Sequence, residues 1–137
     1  MRLRFPALCV GLALLLVACS KDEAGSYKEP SVVRLNARIP LSTYDTATVS
    51  FDEVVSDSRC PANSLCSWAG IAIARFTLRA GQKELPFMLS IMPGYPKQDT
   101  IINGYVIELS DLQPYPGMAG SDKKAPVQAE LRIFRLR

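Results

Sequence analysis

The chain has 137 residues, a length that holds one domain. Its 48% hydrophobic and 21% charged residues are the proportions of a globular protein and exclude a disordered one. Sixteen Lys and Arg against thirteen Asp and Glu, a formal +3, are too few and too scattered for a nucleic-acid footprint, and the lack of histidine excludes Ser–His and Cys–His nucleophilic devices and zincin-type motifs.

Met1-Arg2-Leu3-Arg4 is a short cationic start, and Phe5 to Val17 is an uninterrupted apolar run. A spanning helix needs about 20 such residues, so a run of this length is the core of a signal peptide. It ends in Leu16-Val17-Ala18-Cys19, which resembles the lipobox of bacterial lipoproteins. The resemblance implies cleavage between Ala18 and Cys19, a thioether-linked diacylglycerol on Cys19, and a further acyl chain such as palmitate on the new amino terminus. One acyl chain holds a protein marginally, whereas two or more hold it durably. Ser20, not Asp, follows the cysteine, which resembles the lipoproteins that pass to the outer membrane of a two-membrane cell. The expected organisation is therefore a lipoprotein signal peptide over 1–18, a lipidated polar tether over 19–30, and one domain over 31–137. Cleavage removes Arg2 and Arg4, so the remaining chain is close to neutral.

Beyond residue 30 the apolar period is two, as in half-buried strands. Val33, Leu35, Ala37 and Ile39 alternate with Arg34, Asn36 and Arg38. Ala47, Val49 and Phe51 follow, and Asp52-Glu53 before Val54-Val55 predicts a bulge or a strand end. The strongest predicted strand has Cys66, Trp68, Gly70, Ala72, Ala74, Phe76 and Leu78 on one face. After a turn at Ala80-Gly81-Gln82 come Leu85, Phe87, Leu89 and Ile91, where Pro86 cannot donate to a ladder and predicts an edge strand. Asn103-Gly104 is a hairpin turn pair. Tyr105, Ile107 and Leu109 form the next strand, which stops before Pro114-Tyr115-Pro116; Val127, Ala129, Leu131 and Ile133 form the last. The expected fold is all-β: a small antiparallel β-sandwich, or partly open barrel, of about six to seven strands.

Of the four cysteines, Cys9 lies in the signal segment and Cys19 is the lipid site. Cys60 and Cys66 remain, an even pair in an oxidising compartment, so a disulfide is expected. Closing so short a ring stabilises by about 2.4 kcal/mol on chain-entropy grounds. A metal site would need two further soft or imidazole ligands that the chain lacks. No cofactor is expected.

The block Asp57-Ser58-Arg59-Cys60-Pro61, then Cys66-Ser67-Trp68-Ala69-Gly70, and later Pro114-Tyr115-Pro116, resembles a group of small secreted bacterial proteins and lipoproteins sharing the pattern DSRCP, CxWAG and PYP. The resemblance brings no activity with it. Asp57 and Arg59 stand two apart on an extended segment. Either they pair with one another, with the guanidinium over an aromatic ring, or the pinned loop presents them to a partner. Trp68 shares the predicted apolar face with Cys66, so it is expected in the core against the disulfide. Asp52, Glu53 and Asp57 are the candidates for carboxylate chemistry. Met88 and Met92 are candidates for a thioether copper site and are better explained as packing residues. Ser58, Ser64 and Ser67 have no base partner. The functional expectation is a non-enzymatic, membrane-anchored binding or envelope-structural module, on the outer membrane facing the periplasm if the cell has two membranes. The alternative is an inhibitor or immunity-type protein that blocks a hydrolase through the stiffened loop.

Overall fold

A computed structural model of the chain describes residues 30–42, 46–92, 96–118 and 125–136. Ala18, Cys19, the signal segment and the tether up to residue 29 lie outside the described residues.

Eight strands are present among the described residues, with no helix. They are β1 (Ser31–Arg34), β2 (Arg38–Pro40), β3 (Thr48–Asp57), β4 (Ala72–Ala80), β5 (Lys83–Ile91), β6 (Asp99–Ile102), β7 (Tyr105–Gln113) and β8 (Gln128–Arg135). They build two four-stranded antiparallel sheets, in the orders β1-β8-β7-β6 and β2-β3-β4-β5. One apolar core lies between them: Val33, Leu109, Leu131 and Ile107 from the first sheet, and Val49, Ala74, Leu78 and Leu89 from the second. Within the second sheet Phe51, Phe76 and Phe87 stand in register on β3, β4 and β5. Their rings stack at 5.2 and 5.6 Å between centroids. The outward faces carry ion pairs between residues directly opposite across the ladder: Glu53–Arg75, Arg79–Glu84 and Glu108–Arg132.

The alternation marked the inward faces of β3, β5, β7 and β8 correctly, and β5, with Pro86, is an edge strand. Of the two outcomes expected at Asp52-Glu53, the bulge is the one found: β3 continues, and its register shifts between Phe51 and Glu53 and again between Val54 and Ser56. Three expectations are corrected. Residues 33–39 are not one strand: the chain breaks at Asn36, whose φ of 62° is left-handed, and β1 and β2 join different sheets. The Asn36 amide donates to the Phe51 carbonyl at 2.8 Å and fixes this corner. The short strand β6 was not anticipated. It pairs with β7 across the turn Asn103-Gly104, where both residues have positive φ, as a type I′ hairpin requires. Finally, the strand expected from Cys66 begins only at Ala72.

The two ends of the sandwich differ. One carries the hairpin turns 81–82 and 103–104 and the 41–47 connection. The other carries the longer connections 58–71, 92–98 and 114–127.

Candidate functional site

The long-loop end is built from the residues that make up the sequence pattern. Past Asp57, the last residue of β3, two further backbone bonds keep the chain beside the approach to β4. The amide of Ser58 donates to Ile71 O, and that of Cys60 to Ala69 O, each at 2.8 Å. Gly70 makes this approach possible. Its φ is +75°, and a Cβ there would run into the Ser58 carbonyl and come within 2.8 Å of Arg59 Cα. Beyond the Cys60–Ala69 pair the chain leaves the sheet. The expected disulfide joins Cys60 to Cys66, with Cα atoms 5.9 Å apart. The Ser64 amide donates to Pro61 O at 3.0 Å and closes a turn inside the ring.

The end of β7 supports this loop from the other sheet. A register shift between Leu109 and Asp111 turns the Asp111 carboxylate towards the chain that follows. It accepts from the Leu112 amide at 2.8 Å and from Gln113 Nε2 at 2.7 Å. Gln113 Oε1 in turn accepts from the Tyr115 amide at 2.9 Å. The Ala62 amide then donates to Pro116 O at 2.8 Å, and Gly117 packs against Pro61 and Asn63.

Arg59 locks the two supports together. Its Nε and Nη2 donate to the two oxygens of Asp57 at 2.9 and 2.7 Å, a fork on a carboxylate. Nη1 donates to Leu112 O at 2.7 Å, and Nη2 also reaches Pro114 O at 3.4 Å. The guanidinium lies 4.7 Å from the centroid of the Tyr115 ring. Its side chain is 3% exposed and that of Asp57 24%. The structure therefore brings Asp57 and Arg59 together, but as a brace turned inward, with all three guanidinium nitrogens of Arg59 engaged.

What the loop presents instead is apolar. Leu65 is fully exposed, Trp68 is 65% exposed, and Met118 on the adjoining connection is 55% exposed. The expectation that Trp68 is buried against the disulfide is overturned. Alternation holds only while a strand stays in a sheet, and the backbone pairing ends at Ala69, before Trp68. Residues 60–74 and 112–118 contain no charged side chain. Among the described residues, Leu65 to Trp68 make no backbone–backbone hydrogen bond. Leu65 and Met118 were missed at the level of sequence, although Leu65 sits in a ring too small to enclose a leucine.

The candidate carboxylates and Ser58 each have partners within the fold. Asp52 accepts from Ser50 Oγ and Thr77 Oγ1, both at 2.7 Å, and Glu53 pairs with Arg75. With Asp57 held by Arg59, the three carboxylates have three different partners. Among the described residues no group of three or more Cys, Asp and Glu is placed to hold a metal ion. Met88 and Met92 are partly exposed, at 42% and 41%. Ser58 Oγ donates to Ile71 O at 3.1 Å. No family model matches the chain, nor does any curated protein or solved structure.

Proposed function

We propose that the chain is a non-enzymatic binding module of the bacterial cell envelope, held to a membrane by lipid on Cys19, which offers the 60–70 loop to a protein partner. The observation that carries the reading is the 65% exposure of Trp68 beside a fully exposed Leu65 on a loop fixed by a disulfide and the Arg59 brace. Isolated soluble domains rarely spend a tryptophan on water, and aromatic residues are enriched where one protein anchors in another. A loop already rigid loses little conformational entropy when it is bound.

That rigidity also supports the second reading, an inhibitor or immunity-type protein that blocks a hydrolase. Among the described residues, Leu65 to Trp68 make no backbone–backbone hydrogen bond and carry no charge, so an apolar cleft lined with backbone hydrogen-bonding groups is the complementary surface.

A photo-crosslinking residue placed at position 65 in the native host tests both. It should yield one discrete protein adduct, lost when Trp68 is replaced by Ala, whereas the same probe at position 83 should not. Trp68→Ala should leave the domain folded, with a stability change of about 1 kcal/mol or less. No adduct at position 65, or the same adduct from position 83, would overturn the proposal. Inhibition of one hydrolase at a one-to-one ratio would select the second reading.

A further inference from the structure

Among the described residues, the hairpin end of the sandwich is the more basic one. Arg38, Arg79, Lys83 and Arg135 all lie there, against the one carboxylate Glu84 among the described residues; Asp45 falls outside them. Arg38, Lys83 and Arg135 are exposed, and Arg79 keeps 41% of its side chain in water while pairing with Glu84. Arg38 and Arg79, with Thr46, Thr48 and Gln82, line a shallow cleft that opens at this end, and Glu84, the partner of Arg79, lines it too. The Arg38 guanidinium beside two hydroxyls is suited to phosphate oxygens, and Arg79 adds its charge from the cleft wall while held by Glu84.

The path of the chain points the same way. β1 runs from Ser31 towards Arg34, and Arg34 pairs with Gln128 beside Gln113 at the long-loop end. Residue 30 therefore comes to β1 from the side of the hairpin end. The ten residues of β3 separate the two ends by about 33 Å.

We infer that the hairpin end is a membrane-facing surface, that the Arg38–Arg79 cleft seats the phosphate of an anionic phospholipid, and that the 60–70 loop consequently points away from the bilayer. The inference rests on lipidation at Cys19. It deepens the proposed function, because a loop aimed away from the anchoring membrane meets a protein and not the acyl chains. Cations near an anionic bilayer are attracted within a Debye length, so the contact is sensitive to salt and lipid charge.

The test uses the full lipidated protein in vesicles of phosphatidylcholine alone or mixed with phosphatidylglycerol. Lys83 at the hairpin end and Lys97 on the 92–98 connection report on opposite ends to an aqueous amine-acylating reagent. In anionic vesicles Lys83 should react at least about threefold more slowly relative to Lys97, and the difference should vanish at 1 M salt, where the Debye length is about 3 Å. Arg38→Glu should abolish the protection, and Arg34→Glu, an equal charge change elsewhere, should leave it. Trp68, the sole tryptophan, should remain open to iodide and unquenched by brominated acyl chains. Equal reactivity of Lys83 in both vesicle types, equal effects of the two arginine variants, or quenching of Trp68 by bromolipid would each overturn the inference. The mass of the Cys19 peptide from the native host is read separately, so failure of lipidation is distinguishable from failure of the orientation.

Discussion

At the scale of single residues, Arg59 shows how one buried charge organises the long-loop end of the sandwich. Its guanidinium has bonds to Asp57, to the Leu112 carbonyl and to Pro114, and a ring beneath it. Removing one partner of such a pair costs about 3–5 kcal/mol when both charges are buried. Asp57 keeps 24% of its side chain in water, so Arg59→Met should cost about 3 kcal/mol, at the low end of that range. Arg59→Lys should recover part of it, since an ammonium cannot form the fork and reach both carbonyls at once. Urea denaturation measures both, and a loss below about 1 kcal/mol for Arg59→Met would mean that the brace is dispensable. The sequence put Asp57 and Arg59 two residues apart and Tyr115 far along the chain. That they meet was legible as a possibility only, because the contact depends on where β7 ends.

At the scale of elements, periodicity served well inside the ladders and failed at their ends. The inner faces of β3, β5, β7 and β8 could be read because alternate residues pack against the opposite sheet. Trp68 continued the same alternation on paper, but by Cys66 and Trp68 the chain has left the sheet. Gly70 decides the point, since its left-handed φ and close approach to Ser58 bend the chain where no side chain fits. Gly70→Ala should therefore destabilise by about 2–4 kcal/mol through backbone strain and overlap with the Ser58 carbonyl. It should also lower the hydrogen-exchange protection of the Ser58 and Cys60 amides more than that of β4. A Gly70→Ala protein as stable as its parent would show that the approach is not tight. Asn36 sets a similar limit: a left-handed residue within an alternating run splits β1 from β2, and alternation alone cannot reveal it.

At the scale of the whole molecule, the two sheets share one core, so neither is independent of the other. Phe76 stands at its middle, stacked between Phe51 and Phe87. Phe76→Ala should cost about 3–5 kcal/mol. Native-state hydrogen exchange should then show amides of β7 and β8 in the other sheet losing protection together with those of β3 and β4. Loss confined to one sheet would mean that the sheets open separately.

The sequence by itself determined the fold class, the pairing of Cys60 with Cys66, an irregularity at Asp52-Glu53, the edge position of β5 and the positions of most core residues. Each follows from information local to the chain: a period of two, a turn dipeptide, a proline without an amide hydrogen, or two thiols six residues apart. The tertiary structure alone decided that Trp68 faces water, that Arg59 faces inward, and that the DSRCP and PYP segments form one support. Those outcomes depend on where two sheets end relative to one another and on which carbonyls become free there, and no local pattern carries that distance.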